Sequence, residues 1–146
     1  MLAARPLSEG QLRERLLAKP FADADSVDNC ISRLKEMGFI DDRLFARNYA
    51  DYRARMKPMG RSRLARELAG KKVSREEIGN ALDEVFEEVG EDVLIDRAIE
   101  KRIRTHGRPL DRAGAKRLFD HLARRGFDYD LIWRKLRALG TSDEEE

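Results

Sequence analysis

The sequence predicts an all-α protein, built from tandem three-helix repeats in an elongated or curved array of about eight helices. Leu, Ala, Arg, Glu and Lys dominate the 146 residues, and these residue types favour helices over strands. Apolar residues recur three or four positions apart, and glycines, prolines and capping residues separate the stripes. A pair of leucines also returns about every fifty residues, which is typical of repeat architectures.

The first two helices are indicated by their ends. Ser8 and Gln11 form a capping-box pattern, so helix one is expected at about 8–18. Helix two carries the apolar stripe at 27–37 and stops at Gly38, a residue that readily adopts the left-handed conformation.

The third helix begins with two acids and ends at Pro58. We interpret Asp41 and Asp42 as capping residues that compensate the helix dipole, in preference to a catalytic acid/base pair. The aromatic side chains of this helix could stack on nucleic-acid bases, but we expect this stripe to be core; its members are Phe45, Tyr49 and Tyr52.

Five further helices are expected in the second half. Their patterns are a leucine stripe ending near Gly70, a capping box at 74–77 ahead of apolar residues up to 86, and helices at about 91–105, 111–125 and 131–139. We expect Trp133 on the last helix to cap the open end of the array.

The repeat is visible in the short helices. Leucine pairs four residues apart are each followed, five residues later, by an apolar residue; the sets are Leu12, Leu16 and Phe21, then Leu64, Leu68 and Val73, then Leu118, Leu122 and Phe127. The offsets are 52 and 54 residues. This predicts a first repeat at 1–40 that lacks its lead helix, complete three-helix repeats at 41–88 and 89–139, and an acidic disordered tail at 140–146.

Composition excludes several classes of protein. Charged residues make up 40% of the chain, no apolar stretch approaches a membrane span, and the first residues do not form a signal peptide. The single cysteine, Cys30, is expected to be a small buried apolar residue, and neither His106 nor His121 has metal-ligand neighbours in sequence. We therefore expect a cytoplasmic protein with no catalytic residues, cofactor or metal.

Charge is arranged in blocks that the net charge of +2 conceals. Residues 53–72 hold eight basic residues and one acid, 73–96 hold nine acids and one base, and 97–137 hold thirteen bases and five acids. Basic blocks on successive repeats could align on one face and bind a polyanion. Alternatively, opposite blocks attract each other within the array or cover solvated helix faces.

Several motifs resemble the RecX family of recombinase regulators, and the resemblance covers nearly the whole chain. They are 38–46 (Gly-Phe-Ile-Asp-Asp-Arg-Leu-Phe-Ala) with Tyr49, Arg53 and Arg55; 63–68 (Arg-Leu-Ala-Arg-Glu-Leu) with Val73; 122–127 (Leu-Ala-Arg-Arg-Gly-Phe) with Ile132; and Ser8-Glu9 with Leu12, Arg13 and Leu16.

This resemblance implies a regulator in DNA repair and recombination that binds in the groove of the RecA filament on single-stranded DNA. We expect the protein to be a monomer. It would restrain the ATPase and strand exchange, with direct contact to single-stranded DNA left open. The candidate contact residues for filament and DNA are Arg53, Arg55, Lys57, Arg61, Arg63, Arg66, Lys101, Arg104, Arg108, Lys116, Arg117, Arg124, Arg125 and Arg134. The alternative is a general DNA-binding protein that uses helix-turn-helix-like units.

Overall fold

A computed structural model describes residues 6–144, and this part of the chain contains eight α-helices and no strand. The all-helical prediction is therefore confirmed. The helices are α1 (Glu9–Leu17), α2 (Ala24–Glu36), α3 (Asp42–Met56), α4 (Arg61–Gly70), α5 (Arg75–Glu88), α6 (Glu91–His106), α7 (Arg112–Arg124) and α8 (Tyr129–Glu144). We refer to α1–α2, α3–α5 and α6–α8 as the first, second and third units.

Local capping determines where the helices begin. Ser8 and Gln11 form the expected reciprocal capping box at α1. Asp41 caps α3 by accepting a hydrogen bond of 3.1 Å from the backbone N–H of Leu44. At α5, Ser74 accepts from the N–H of Glu77, but the Glu77 side chain does not return the bond and one of its carboxylate oxygens is buried without a partner. The predicted capping box at α5 is therefore only half formed.

Two hydrophobic cores hold the units. A continuous core joins the second and third units, with fully buried leucines of α4, α6 and α7 at its centre; these are Leu64, Leu68, Leu94 and Leu122. The first unit has a small core of its own, formed by Val27, Ile31 and Ile40. The first unit is therefore attached to the rest of the chain mainly by contacts other than a shared core.

A backbone joint connects the second unit to the third. The N–H of Gly60, ahead of α4, donates to the carbonyl of Arg125 at 2.8 Å, and the N–H of Ser62 donates to Gly126 at 3.3 Å. A Cβ at Gly60 would lie 2.6 Å from the Cα of Phe127, so only glycine permits this approach. Gly126 itself has a φ of 89°, which completes the turn after α7.

A second joint of the same kind connects the first unit to the second. Here the start of α1 lies on the turn after α4, and the buried hydroxyl of Ser8 donates to the carbonyl of Lys71. Gly10 lies against Lys72, which adopts a left-handed φ of 66°. The N–H of Glu9 adds a hydrogen bond of 2.7 Å to the Asp42 carboxylate. Both joints therefore place a helix start on the turn that follows the short helix of the next unit.

Several apolar residues are more exposed than the sequence predicts. Cys30 is exposed on α2, so its predicted burial is wrong. Phe21 is fully exposed, whereas its repeat equivalents Val73 and Phe127 are buried. The reason is that, among the described residues, the first unit has no counterpart of α3 or α6 to cover these positions. The exposed fractions of Met37 and Tyr52 are 62% and 61%.

The outer surface of α3 and the end of α8 also differ from expectation. Ala46, Ala50 and Ala54 provide the buried face of α3, while Phe45 and Tyr49 are only partly buried. Small alanines let α3 approach its neighbours closely, and the rings lie at the edge of the contact. The predicted end of α8 at Gly140 is wrong, because the helix continues to Glu144 through most of the segment predicted to be a disordered tail; residues 145–146 lie outside the described residues.

Candidate functional site

The acidic block is largely occupied by basic residues of neighbouring helices. Arg43 and Arg47 of α3 bind Glu84 of α5 at 2.8 and 2.6 Å. Lys135 of α8 binds Asp96 of α6 at 3.0 Å. Opposite charges therefore attract each other within the array, as one of the two interpretations of the charge blocks expected.

Five of the predicted contact residues bind carboxylates of the same chain. The pairs are Arg53 with Glu67 (3.0 Å), Arg63 with Glu67 (3.4 Å), Arg55 with Asp51 (3.1 Å), Arg61 with Asp83 (2.7 Å) and Arg134 with Asp92 (4.0 Å). The pairs of Arg55, Arg61 and Arg134 are largely exposed and contribute little free energy, about 0–1 kcal/mol. They nevertheless reduce the positive potential that these arginines can offer to a partner.

Glu67 is the centre of a small polar network on the second unit. Its carboxylate accepts from the hydroxyl of Tyr49 at 2.7 Å and from Arg53 and Arg63. Burial raises the pKa of Glu67, but the hydrogen bonds from Arg53, Tyr49 and Arg63 outweigh burial and leave this pKa below its ordinary value. The Tyr49 ring is stacked with the Phe45 ring at a centroid distance of 6.3 Å, and the ammonium of Lys71 lies 5.2 Å from the centroid of the Tyr49 ring. Tyr49 is therefore held in the fold and is not a free stacking platform.

Several cations without a carboxylate partner among the described residues lie where the second and third units meet. We call this surface the basic joint and define it as Lys57, Lys101, Arg102, Arg124 and Arg125. The positive charge of Arg125 lowers the pKa of Lys57 most. Burial and the charges of Arg63 and Lys101 lower it further. Burial, followed by the charges of Arg63 and Arg53, lowers the pKa of Arg125. The lowered pKa values indicate cations that repel one another.

The other predicted residues extend from this surface in two directions. Arg66 lines an open groove with Arg124 and Tyr129 beside the joint. Arg108 and Arg117 line a cleft of about 390 Å³ at the turn between α6 and α7, and Arg108 also donates to the carbonyl of Leu139 at 3.3 Å. The remaining two, Arg104 and Lys116, are exposed on α6 and α7.

The structure therefore brings together only part of the predicted set. Lys57, Lys101 and Arg125 converge at the basic joint. Arg124 lies at its edge, in a groove that it shares with Arg63, Arg66 and Glu67. Arg55, Arg61 and Arg134 bind acids elsewhere.

Arg102 and His121 belong to this region but were missed by the sequence reasoning. Arg102 is four residues after Ala98, which is buried, so helical spacing could have placed it on the inner side of α6. His121 is half-buried, and burial together with Arg102, Arg125, Arg124 and His106 lowers its pKa to about 4. His121 lies four residues before Arg125, and this helical spacing could have predicted that the two side chains are neighbours.

An aromatic cluster lies on the outer side of the third unit. Phe119 contacts the rings of Tyr129 and Trp133, with centroid distances of 5.5 and 5.1 Å. Tyr129 and Trp133 remain 63% and 52% exposed. Trp133 therefore packs on the third unit itself, and that it caps the array stays a prediction.

No group of three or more His, Cys, Asp or Glu residues in the described part of the chain is placed to hold a metal ion. No helix within residues 6–144 combines the length and apolar character needed to cross a bilayer.

Comparisons with known proteins give a consistent result. The family model described as "RecX, second three-helix domain" matches residues 41–82, and "RecX, third three-helix domain" matches 91–136. The "Regulatory protein RecX" of Pelodictyon phaeoclathratiforme is 32% identical and the match covers 99% of this chain and 89% of that protein. The corresponding protein of Chlorobium phaeobacteroides is 32% identical, with 90% and 83% covered.

Solved structures agree with the fold. The crystal structure of RecX from Lactobacillus salivarius superimposes with a TM-score of 0.81 at 17% identity, and covers 94% of this chain and 88% of that chain.

Proposed function

Because the chain belongs to the RecX family of regulatory proteins, we propose that it is a non-enzymatic regulator of recombination and DNA repair. It binds the filament that RecA recombinase forms on single-stranded DNA, and it inhibits the ATPase and strand exchange of that filament. The RecA partner comes from the sequence resemblance. The observation that carries the proposal is the basic joint, whose cations have no carboxylate partner among the described residues.

The basic joint supports a polyanionic partner. Cations that repel one another lose that repulsion when they meet phosphates or acidic side chains, and the release of condensed counterions adds to binding. Some acidic residues of α5 and α6 pair with Arg43, Arg47, Arg61 and Lys135, whereas the exposed Glu76 and Glu87 have no basic partner among the described residues. Binding of a polyanion is therefore favoured at the basic joint and disfavoured over the acidic block, so the partner is expected on the side of the basic joint.

The two backbone joints support a multivalent mode of binding. Each joint fixes one unit on the next through hydrogen bonds and close backbone approach. Once one unit has bound a filament protomer, the next contact is effectively intramolecular, so weak contacts add up to stable occupancy. α6, with 16 residues, is about 24 Å long at 1.5 Å per residue, and several units in a row reach neighbouring protomers.

The alternative, a reader of naked duplex DNA, is less favoured by the second unit. A helix-turn-helix reader presents its second short helix to the major groove. In this unit that helix is α5, whose Ile78, Leu82 and Val85 are buried and whose remaining surface carries most of the acidic block. An acidic helix is repelled by phosphates, so α5 is poorly suited to read DNA.

The proposal is tested by measuring the DNA-dependent ATPase of RecA with increasing amounts of this protein. The test variant combines Arg104→Glu and Arg124→Glu, which are exposed arginines in the last turns of α6 and α7. The control variant combines Arg15→Glu and Arg33→Glu, which are exposed arginines in the last turns of α1 and α2. Both variants change the net charge equally and place the same residue in the same kind of helix end.

We expect the wild type to inhibit, the control to retain most of that inhibition, and the test variant to lose it. Unchanged ATPase at stoichiometric wild-type protein would contradict the proposal itself. Equal loss in both variants would instead contradict the location of the interface on the exposed ends of α6 and α7, where Arg124 of the basic joint lies. A parallel titration on naked DNA measures the alternative, since a general DNA binder binds without RecA and weakens steeply as salt rises.

A further inference from the structure

A small cleft lies where the C-terminal ends of α3, α6 and α7 meet. Its volume is about 180 Å³, which corresponds to several water molecules at roughly 30 Å³ each. Its walls are basic or neutral, and no carboxylate lines it; the lining residues are Pro58, Ala98, Lys101, Arg102, Thr105, His106, His121 and Arg125. Lys57, next to Pro58, adds a further positive charge at the rim.

Helix dipoles do not account for this concentration of cations. The C-terminal end of a helix carries about half a negative charge, and three such ends offset about one and a half positive charges. The cleft holds four cations, which are Lys57, Lys101, Arg102 and Arg125. When the offset from the three helix ends is subtracted from their four charges, roughly two and a half positive charges remain uncompensated. The cleft therefore has a net charge suited to a dianion.

Arg125 shows the same imbalance in its own contacts. Its Nη1 nitrogen is buried and donates no hydrogen bond to the protein, which is unusual because buried donors are nearly always paired. Its backbone is fixed, since the Arg125 carbonyl accepts from Gly60 in the joint. The guanidinium is thus held at the cleft without a counter-charge.

We propose that this cleft binds a phosphate group. A phosphate offers several acceptor oxygens in a tetrahedral arrangement and carries about 1.5 to 2 negative charges when singly esterified. Arg125 and Arg102 provide planar guanidinium donors that match phosphate oxygens, and Lys101 provides a point charge. A carboxylate has two oxygens and one charge, so it would leave more of the donors and of the positive charge unmatched.

This inference does not rest on filament binding, because the cleft can take a phosphate group from two sources. One source is a free or terminal phosphate, and the other is the backbone of single-stranded nucleic acid. Both present non-bridging phosphate oxygens, but a backbone diester has two such oxygens and one negative charge, so the charge balance of the cleft favours a free or terminal phosphate.

The experiment titrates the full-length protein with inorganic phosphate, without RecA, at ionic strength held constant with chloride. The His121 ring is followed by NMR as a reporter inside the cleft. Bound phosphate is expected to raise the pKa of His121, because a neighbouring anion stabilises the imidazolium and offsets Arg102, Arg125, Arg124 and His106. The protein is also expected to melt at higher temperature in phosphate than in chloride.

Two variants test the cleft and one serves as control. Arg125→Gln removes the guanidinium, and Lys101→Gln removes an exposed charge whose loss does not endanger folding. Each is expected to weaken phosphate binding about tenfold or more, the loss expected for one charge-assisted hydrogen bond. Arg33→Gln, an exposed change of equal charge on α2, is expected to bind phosphate like the wild type.

A second arm adds a short single-stranded oligonucleotide without terminal phosphate. If inorganic phosphate displaces it and both move the His121 signal, the cleft takes backbone phosphates. If only inorganic phosphate moves the signal, the cleft takes a free or terminal phosphate. The proposal is overturned if neither changes the His121 signal, or if Arg125→Gln and Lys101→Gln bind phosphate as well as Arg33→Gln.

Discussion

Gly60→Ala is expected to open the joint between the second and third units. The backbone at Gly60 has φ −87° and ψ 172°, which alanine adopts without strain, so the effect must come from space. A Cβ at this position would lie 2.5 Å from the carbonyl carbon of Gly126 and 2.6 Å from the Cα of Phe127. Both are backbone atoms that no rotamer change can move.

The expected cost follows from these contacts. Overpacking of a well-packed contact costs about 1–3 kcal/mol. The hydrogen bonds from Gly60 to Arg125 and from Ser62 to Gly126 each contribute about 1 kcal/mol and are strained or lost when the backbones separate. We therefore expect a loss of about 3 kcal/mol in the free energy of unfolding. For a chain of this size that lowers the Tm by roughly 6–12 °C.

Gly79→Ala provides the matched control. Gly79 lies inside α5, and a Cβ there would meet nothing within 4 Å. Alanine is favoured over glycine inside a helix by about 1 kcal/mol, so this variant should be more stable than the wild type. Urea and thermal unfolding of both variants measure the difference. A Gly60→Ala protein as stable as the wild type would refute the close approach at the joint.

Two further changes probe the other joint and the buried histidine. In Gly10→Ala a Cβ would lie 2.7 Å from the carbonyl oxygen of Lys72. Amide hydrogen exchange should therefore become faster in α1 and α2, while α5 stays protected. An equal increase of exchange in α5 would contradict the separate core of the first unit. The folded pKa of His121 is about 4, below its ordinary 6.5, so the unfolded chain takes up the proton first and stability should fall as pH drops from about 6.5 to 4. His121→Gln should flatten this part of the stability profile, and an unchanged slope in this variant would count against the burial of this ring.

Most helix boundaries could be predicted because they depend on neighbours in sequence. Ser8, Asp41 and Asp111 cap their helices through residues three positions later, and Gly38 ends α2 with a φ of 77°. The end of α8 could not be predicted in this way. Gly140 has no neighbouring turn to terminate the helix, and a single glycine lowers helix stability by only about 1 kcal/mol.

Burial in the first unit and in α3 could not be predicted because it depends on which helix covers which. A stripe of aromatic residues at helical spacing indicates a face, but it does not say that alanines on the adjacent face make the closer contact. Ala46, Ala50 and Ala54 occupy that closer face. Phe21 matches Val73 in the sequence repeat, yet Phe21 is exposed and Val73 is buried. The difference arises because no lead helix in the described part of the first unit packs on Phe21.

The composition of the charge blocks alone could not predict which cations form the candidate site. Composition indicated basic blocks, but it could not separate Arg61, which binds Asp83 on α5, from Lys57, which faces other cations. That distinction depends on contacts between helices far apart in sequence. Arg63 and Glu67 were the exception, because their spacing of four residues on α4 predicts a contact.

The position of the basic joint follows from how the units are connected. At each joint the turn after a short helix uses a backbone carbonyl to accept the start of the short helix of the preceding unit, Lys71 for Ser8 and Arg125 for Gly60. The repeat offset of 54 residues relates Lys71 to Arg125. In both turns the side chains are basic, but Lys71 lies over the Tyr49 ring and Lys72 binds Glu14 at 3.8 Å, whereas Arg125 has no carboxylate partner among the described residues. The chemistry of the accepted residue differs, a serine hydroxyl in one joint and a glycine N–H in the other. What the two joints share is close backbone approach, and this approach places cations at equivalent points of successive units.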